Sequence, residues 1–414
     1  MERAIRNVLC LSAAQAFGNA GLSLIVLSGG LIGASLAPAP AYATLPPALH
    51  LLGIGLGAWP AMLLIRGFGR QTSFVAGAIL SAFCAIMAAF AIIQRDFRLC
   101  CLAFTLLGIN GALIQQYRFA ASEAVAPSMR GRAVAFVVIG SVISGVLGPE
   151  LTRYAPGIIA HSAFAGAFVG LAGCYTLSAI CLSLLNLPST APVSAYTPQH
   201  APQHRVGGSE QMRPLAVILR QPICLIAIGV SAVGFAVMGF QMAATPLQIT
   251  RIDGYPLEAS AWVIQSHFLA MFLPSFVTGL IVDRIGSEWV LRFGAVGLAI
   301  CLLLGLISHH LQHYWLTLLF LGASWNMLFV GGTVLLSQSY RPAERLVVQA
   351  VHDGSVFTIQ AITSLFAGPL LFSIGWIGIN MIALLLLIPL IGMLYWLHRR
   401  QQRQALLWQL LLNS

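Results

Sequence analysis

The stretch "CCLAFTLLGINGALIQQYRFAASEAVAP", residues 100–127, begins as an apolar run and then acquires two amides, a cation and an acid: Gln115, Gln116, Arg118 and Glu123. No turn residue separates the two parts, so the stretch is predicted to form one long helix. A membrane-spanning helix needs about 20 mainly apolar residues. Polar residues in such a helix indicate a face that meets protein or water rather than lipid.

The composition of the whole chain is that of a membrane protein. Hydrophobic residues make up 58% of the sequence, charged residues make up 8%, and the mean hydropathy is +0.88. Soluble domains carry about 25% charged residues. The formal net charge of +10 comes from arginines that stand singly or in pairs between apolar segments. This is the distribution of membrane loops, so a lipid bilayer is the predicted environment and no nucleic-acid partner is expected.

Twelve apolar segments are separated by breakers, which predicts an all-α membrane protein with twelve transmembrane helices in two pseudo-symmetric six-helix halves. The N-terminal half, residues 1–186, holds the spans 8–34, 44–65, 72–93, 99–125, 133–155 and 161–186. The C-terminal half, residues 217–397, holds the spans 218–245, 257–282, 289–307, 314–338, 348–373 and 376–397. Residues 187–216, rich in Pro, Ser, Gln and His, are predicted to be a flexible linker. The basic tail, residues 398–414, is predicted to be an amphipathic helix on the membrane surface.

The loop arginines predict the orientation of the chain. One side of the membrane carries most of them: Arg3, Arg6, Arg66, Arg70, Arg130, Arg132, Arg205, Arg213, Arg284, Arg341, Arg345, Arg399, Arg400 and Arg403. The other side carries mainly Arg95, Arg98, Arg153 and Arg251. By the positive-inside rule, both termini and the linker are expected in the cytoplasm, with the protein in a bacterial inner membrane.

The two halves contain matching motifs. Gly69 and Gly286 both lie between the second and third spans of their half, and Gly148-Pro149 corresponds to Gly368-Pro369 in the fifth spans. Two matches at nearly the same separation indicate an internal duplication, which is typical of transporters built from repeated halves. With Gly140, these Gly-Pro positions are predicted to be helix-packing sites.

The segment "GLIVDRIGSEWVL", residues 279–291, resembles the cytoplasmic loop motif G-x-L-x-D-R-x-G of the major facilitator superfamily. The resemblance extends over nearly the whole chain and implies that family's fold and transport activity. It also implies a conformational lock, in which glycines allow close approach and a tight turn while charges pair across the halves. The implied lock residues are Gly279, Asp283, Arg284, Gly286, Gly69 and Arg70; in the first-half copy, Met62 and Arg66 replace the expected Gly and Asp.

Two further segments bear on the subgroup. "GSVISGVLGPEL", residues 140–151, resembles part of the glycine-proline motif in the fifth helix of many antiporters, without its trailing glycine pair. The arginine motif of drug-proton antiporters is missing from "FTLLGINGA", which argues against a drug exporter. "QQYRFAASE" resembles a bacterial subgroup of permeases whose substrates are mostly unassigned.

Helical spacing suggests roles for the polar residues of the fourth span. Gly111, Gln115, Arg118 and Ser122 fall on one stripe at about 100° per residue. Arg118 could face a central cavity and bind an anionic or polar substrate, or it could snorkel to the membrane interface. Glu123 could pair with loop arginines or take part in proton coupling.

Other polar residues in the spans complete the candidate site. The predicted substrate-binding set is Arg118, Gln115, Gln241, Gln265, His267, Asn326, Trp325 and Gln360. His267 could bind substrate, relay a proton or pack as a hydrogen-bonded core residue. Asp353, with His352, could carry a coupling proton or cap the eleventh span, and the cap is the favoured interpretation.

These features together predict a secondary active transporter for a small anionic or polar molecule, working by alternating access with protons as the coupling ion. A nutrient, vitamin or siderophore importer is one alternative, and a membrane receptor on the same scaffold is another. No phosphate-binding loop, metal-ligand spacing or paired catalytic acids are present, so neither an enzyme nor a cofactor or metal site is predicted. The protein is expected to be a monomer.

Overall fold

A computed structural model describes residues 2–125, 129–159, 162, 164–186, 213–341 and 344–412 of the chain. The helices in chain order are α1 (Glu2–Gly18), α2 (Ala20–Leu36), α3 (Leu45–Phe68), α4 (Arg70–Ile93), α5 (Phe97–Ile114), α6 (Tyr117–Glu123), α7 (Arg130–Ile158), α8 (Ala165–Ser183), α9 (Leu215–Leu219), α10 (Pro222–Leu247), α11 (Leu257–Phe272), α12 (Ser275–Ile285), α13 (Ser287–Leu304), α14 (Leu311–Ser337), α15 (Arg345–Leu385) and α16 (Leu387–Leu412). Short 3-10 and π turns occupy Pro40–Tyr42 and Gln248–Ile252.

Within the described residues, 11 helical segments are long and apolar enough to cross a membrane. Ten of them coincide with the first ten predicted spans. The last, Val347–Arg400, has 54 residues. A straight helix of that length would measure about 80 Å, more than twice the thickness of a bilayer core. Its helical backbone is broken at Gly375, where φ is 71° and ψ is −178°, so this segment holds the eleventh and twelfth spans.

Two apolar cores are buried in the bundle, one within the first half and one mostly within the second. Phe74, Phe104 and Phe168 are fully buried in the first half, and Leu328 and Trp376 are buried in the second. Large apolar side chains also cover the outside of the bundle, as expected where the solvent is lipid. Examples at more than half exposure are Leu56, Trp59, Phe83, Leu280 and Val296.

The halves meet most extensively through three pairs of helices: α2 with α10, α3 with α15, and α7 with α11. The side of the bundle that holds Ser183 and Leu215, the helix ends next to the linker, is called the linker side. The opposite side is called the far side. If the predicted orientation is right, the linker side faces the cytoplasm.

The glycines of the predicted packing motifs lie where helices approach closely. A Cβ at Gly140 would lie 2.9 Å from the Cβ of Gln15, and one at Gly148 would lie 2.5 Å from the backbone nitrogen of Leu24. These contacts seat α7 against α1 and α2. Pro149 follows Gly148 inside α7, and Gly368 and Pro369 occupy the corresponding place inside α15.

The turns between the second and third spans of the two halves have the same backbone shape. Gly69 has φ 78° and ψ 166°, and Gly286 has φ 86° and ψ 158°. This conformation is essentially restricted to glycine. The match supports the internal duplication, although the flanking residues of the first copy have changed.

Both predicted non-membrane segments are only partly described. Residues 187–212 of the linker lie outside the described residues, and the end of the predicted linker is structured, because α9 begins at Leu215. The backbone of the tail continues α16 to Leu412 without a break. The helix predicted for residues 398–414 is thus an extension of the twelfth span rather than a separate element.

Candidate functional site

A cavity of about 280 Å³ lies between the two halves. Ligand pockets typically measure about 300–1,000 Å³, so this one is near the lower end of the range. The first half contributes side chains from α1, α2, α3, α5, α6 and α7, and the second contributes side chains from α10, α11, α12, α14 and α15. Both halves therefore shape one central site.

The cavity extends from the middle of the bundle toward the linker side. Val134, Ser275 and Asp353 line it, and each lies in the part of its span nearer that side. The far side is closed by contacts between the halves. A Cβ at Gly30 in α2 would lie 3.5 Å from the carbonyl oxygen of Ala243 in α10, so the two helices are in close contact there.

Four aromatic side chains, Phe235, Trp325, Phe329 and Phe357, form what is called here the aromatic wall. Trp325 and Phe329, one turn apart on α14, stack with ring centroids 5.0 Å apart and planes at 9°. Phe235 meets Trp325 and Phe357 edge-on at 5.1 and 5.3 Å. The indole Nε1 of Trp325 is buried without a hydrogen-bond partner. Such a surface suits a flat aromatic ligand, because aromatic rings prefer stacked or edge-on neighbours.

Opposite charges from the two halves meet in the cavity. Arg118 Nη2 on α6 lies 3.8 Å from Asp353 Oδ2 on α15. The other carboxylate oxygen, Asp353 Oδ1, lies 3.0 Å from Nδ1 of His352. The Arg118 guanidinium also lies over the Phe329 ring, 5.9 Å from its centroid. Among the described lining residues, Arg118 and Asp353 are the two that carry a formal charge, so the charges of the site balance.

Polar side chains from α1 and α7 form another part of the wall. Gln15 Nε2 donates to Ser141 Oγ at 3.0 Å, and Asn19 Nδ2 donates to Ser144 Oγ at 3.5 Å. The Oε1 atom of Gln15 is buried without a partner. These two amides lie one turn apart, which gives the cavity a polar strip on the first half.

Comparison with known proteins agrees with the fold and the site. The family model described as Major Facilitator Superfamily matches residues 226–409. The riboflavin transporter RfnT of Brucella anthropi is 36% identical over 93% of this chain and 95% of the relative. The chain belongs to the major facilitator superfamily. Two uncharacterized MFS-type transporters of Bacillus subtilis, YdeG and YddS, are 27% and 25% identical over 95% and 97% of this chain and 92% of each relative.

This superfamily member is thus a multi-pass transport protein and not an enzyme, as the sequence predicted. Five of the eight predicted substrate-binding residues line its cavity: Arg118, Gln115, Trp325, Asn326 and Gln360. Asn326 is also held by its neighbours, since its Nδ2 donates to Met271 O at 2.9 Å and to Ser275 Oγ at 2.6 Å. Gln360 keeps a buried Oε1 without a partner.

The other three predicted binding residues do not line the cavity. Gln241 is buried and donates from Nε2 to Asn380 Oδ1 at 2.8 Å. His267 is buried with Nδ1 2.9 Å from the Leu318 carbonyl oxygen. Gln265 donates to Glu150 Oε1 at 3.1 Å where α11 meets α7. All three form hydrogen bonds between helices, and the two buried side chains, Gln241 and His267, need such partners.

The predicted stripe around Arg118 is only partly in the cavity. A short turn at Gln115 and Gln116 divides the predicted single helix into α5 and α6, although both residues keep right-handed helical dihedrals. A Cβ at Gly111 would lie 2.8 Å from Ile54, so Gly111 faces α3 instead of the cavity. The side chain of Ser122 lies outside the described part.

The favoured interpretation of Asp353 as a helix cap is wrong. The helix α15 begins at Arg345, so Asp353 lies about two turns inside it. Its neighbour His352 is buried, and the Nε2 atom of that ring has no hydrogen-bond partner. The backbone of Glu123 ends α6, while its side chain lies outside the described part. Asp353 and His352 thus remain the described candidates for proton coupling.

The predicted lock residues occupy the two equivalent turns on the linker side. Gly69 and Gly286 form the turns, Arg70 begins α4, and the Arg284 side chain is exposed. Gly279 was expected to permit close helix approach, but no atom lies within 4 Å of a Cβ built there. Within the part of the chain that the structure describes, Gly279 therefore has no close helix neighbour. The side chain of Asp283 lies outside the described part.

Sequence reasoning missed Gln15, Asn19 and the phenylalanines of the aromatic wall. The pair Gln15 and Asn19 carried a readable signal, because two amides one turn apart stand out in an apolar first span. Phe235, Phe329 and Phe357 carried none, since phenylalanines in spans usually face lipid or a core.

Proposed function

We propose that this transporter imports riboflavin, or a closely similar neutral flavin, by alternating access of the cavity between the halves. The observation that carries the proposal is a central cavity that joins an aromatic wall to a charge-balanced polar site. The relative that shares 36% identity over nearly its full length is named for riboflavin transport.

The aromatic wall fits the ring system of a flavin. The isoalloxazine group is flat, aromatic and edged with carbonyl and N–H groups. The half-buried rings of Phe329 and Phe357 line the cavity and offer it an aromatic face, and the buried Nε1 of Trp325 and Oε1 of Gln360 are unpaired polar atoms beside it. The polyol chain of riboflavin can reach the amides of Gln15 and Asn19.

Charge balance favours a neutral substrate over an anionic one. Arg118 suggested an anion from the sequence, but Asp353 stands 3.8 Å from it as a counter-charge. The expectation of a polar substrate is therefore kept in the proposal, and the expectation of an anionic substrate is not.

The one-sided cavity supports alternating access. On the far side α2 and α10 are in close contact, while the site lies toward the linker side. This is the arrangement that releases an imported substrate toward the side where the linker and both termini are predicted. Rocking of the halves would expose the same site to the far side.

Proton coupling is assigned within this proposal to Asp353, with His352 as its neighbour. Protonation of Asp353 would remove one side of the attraction to Arg118 and so weaken the link between the halves. The Asp353→Asn variant is then expected to keep counterflow exchange in proteoliposomes but to lose accumulation driven by a pH gradient. Unchanged pH-driven accumulation would remove Asp353 from this role.

Binding of riboflavin to the purified protein in detergent tests the proposed substrate. The quenching of flavin fluorescence measures that binding. Trp325→Leu is expected to weaken binding about 2- to 10-fold, since an aromatic contact is worth about 0.5–1.5 kcal/mol. The matched control is Trp262→Leu, because Trp262 stacks on Trp315 at 5.2 Å outside the cavity lining. It should bind as the wild type does.

Uptake in proteoliposomes then separates the alternatives. Riboflavin counterflow supports transport, whereas binding without counterflow supports a receptor on the same scaffold. A folded protein that binds no flavin contradicts the proposed substrate.

A further inference from the structure

The ion pair in the cavity has a geometry that bears on substrate charge. The 3.8 Å separation of Arg118 Nη2 and Asp353 Oδ2 is too long for a hydrogen bond but short enough for strong attraction. The buried Nε atom of Arg118 has no hydrogen-bond partner among the described residues. Both side chains are about one quarter exposed, at 27% and 23%. The guanidinium is thus electrically compensated, while the side chain as a whole stays partly accessible from the cavity.

An anionic group entering this site would meet the carboxylate of Asp353 as well as the guanidinium. With Asp353 ionised, attraction to one charge and repulsion from the other largely cancel, and the anion still loses its hydration. Rejection by a like charge is a common source of specificity.

We propose that Asp353 is a specificity-determining residue that excludes phosphorylated flavins, so that the site selects riboflavin over its 5′-phosphate. This inference rests on the proposed function. It adds a negative selection that a flavin-sized cavity with an unpaired arginine would lack, since such a cavity would favour the phosphate.

The dissociation constants of riboflavin and riboflavin 5′-phosphate, measured in detergent at pH 8, test the inference. The wild type should bind riboflavin at least about tenfold more tightly than the phosphate. Asp353→Asn, which keeps the shape and removes the charge, should reduce that ratio about tenfold or reverse it. Asp353→Ser removes the charge with a smaller side chain and serves if the Asn variant does not fold.

Three controls make the result specific. Asp353→Glu keeps the charge and should keep the preference. Asp253→Asn removes a carboxylate near the far-side end of α10, outside the cavity lining, and should leave the ratio unchanged. The double variant Arg118→Gln with Asp353→Asn should lose the gained phosphate affinity, because the gain requires the freed guanidinium.

The outcomes separate the two levels of the proposal. Equal binding of both flavins by the wild type overturns the selection by Asp353 but leaves flavin transport standing. Riboflavin preference that persists in Asp353→Asn and Asp353→Ser also overturns it. Absence of binding of either flavin to the folded wild type overturns the proposed function and this inference with it.

A separate observation concerns closure of the far side. Thr44, which is buried just before α3, joins the two halves through its hydroxyl. Its Oγ1 donates to the carbonyl oxygen of Leu365 at 3.1 Å and accepts from the backbone N–H of Gly368 at 3.1 Å. Both partners belong to α15 of the other half.

The Gly368-Pro369 dipeptide creates the docking place for this hydroxyl. Proline has no N–H, so Pro369 leaves the carbonyl four residues earlier, that of Leu365, without its helical donor. The Thr44 hydroxyl supplies that donor. A Cβ at Gly368 would lie 2.8 Å from Thr44 Oγ1, so glycine is needed for the approach.

The geometry points to Thr44 as a latch that holds the far side closed while the cavity lies open toward the linker side. Its bonds to Leu365 and Gly368 must break when the halves separate on the far side.

Distances between spin labels at Tyr42 and Ile374 test the latch. These positions are exposed on the far side of opposite halves, at 49% and 48%. Cys10 and Cys181, the two partly exposed thiols, are replaced by serine beforehand. Thr44→Val keeps the shape of the side chain without the hydroxyl, and it should increase the fraction of molecules in which the two labels are far apart. Thr44→Ser should give the same distance distribution as the wild type.

Pro369→Ala provides an independent variant. It restores a helical donor for Leu365, competes with Thr44 and should also increase the long-distance population. Distance distributions identical to the wild type in both Thr44→Val and Pro369→Ala would overturn the latch. A shift of the same size in Thr44→Ser and Thr44→Val would also overturn it, because the hydroxyl would then be irrelevant.

Discussion

Arg118 and Asp353 belong to opposite halves of the chain, and their charged groups lie 3.8 Å apart in the wall of the central cavity. The pair joins the fourth span to the eleventh at the site itself. A movement that separates the halves on the linker side would stretch it, and a movement that closes them would shorten it. Under the proposed function, substrate binding and conformational change would therefore act on the same two residues.

Substitution of Arg118 should weaken riboflavin binding. The wild type should bind most tightly, Arg118→Lys less tightly and Arg118→Ala least tightly. Lysine keeps the charge and loses the planar fork, while alanine loses both. Loss of a charged hydrogen bond costs about 1.5–3 kcal/mol, or roughly tenfold to a hundredfold in the dissociation constant. Titration by flavin fluorescence measures this order.

The double variant Arg118→Ala with Asp353→Ala should lose less binding free energy than the sum of the losses in the two single variants, because the residues interact directly. Arg153→Ala is the control, since Arg153 pairs with Glu150 at 3.7 Å outside the cavity lining. Normal binding by a folded Arg118→Ala variant would show that Arg118 has no part in recognition.

Replacement by alanine should have different effects on stability at two linker-side glycines, Gly286 and Gly279. Gly286→Ala forces a side chain into a backbone region reserved for glycine, at a cost of about 1–3 kcal/mol. Gly279→Ala places a methyl group in open space within α12 and should be neutral or stabilising by about 0.5–1 kcal/mol. Thermal unfolding in detergent measures both. Equal destabilisation by the two variants would contradict this assignment.

The contact between Arg213 and Glu344 should make stability fall with acid. The hydrogen-bonded guanidinium of Arg213 lowers the pKa of Glu344 from 4.5 to about 2. A carboxyl with a depressed pKa in the folded state stabilises above its unfolded pKa and loses that contribution as the pH falls. The difference in Tm between wild type and Glu344→Gln should therefore be constant near pH 7 and shrink from about pH 4.5 toward pH 2.

Arg213→Gln tests the cause of that trend, since Arg213 Nη2 lies 2.6 Å from Glu344 Oε2. In the Arg213→Gln background, the further change Glu344→Gln should show a much weaker dependence on pH. An unchanged dependence would assign the trend to another carboxyl group.

The orientation of the chain in the membrane remains a prediction from the arginine distribution. Reporter fusions in the linker at Pro202 and at the C-terminus should both report the cytoplasm. An external signal at either fusion would reverse or break the predicted topology. The same result would reverse the direction assigned to the cavity.

Most of the fold could be predicted because apolar length and turn residues are local properties. The breaks at Gly69, Gly286 and Gly375 lie where the apolar runs are interrupted. The superfamily followed from the loop motif and was confirmed by the relatives. The helical position of Asp353 was misjudged because the start of α15 depends on Glu344 and its contacts, which lie outside the apolar run.

The candidate site was harder to predict from the sequence, because it depends on contacts between distant parts of the chain. Periodicity placed Gln115 and Arg118 on one face, but only tertiary packing pairs Arg118 with Asp353 or turns Gly111 toward α3. Likewise, Gln241 and His267 are polar residues in spans whose partners, Asn380 and Leu318, satisfy them away from the cavity. A single sequence does not distinguish a polar group that binds substrate from one that joins two helices.

The balance of charge in the cavity also determines how the transporter responds to voltage. With Arg118 and Asp353 compensating each other, a site loaded with a neutral cargo presents no net charge to the electric field across the membrane. A potential of 100 mV does work of about 2.3 kcal/mol on each elementary charge that crosses. Under the proposed proton coupling, electrical work on the loaded carrier would be confined to the coupled ion, and the voltage dependence of uptake would count the protons carried in each cycle.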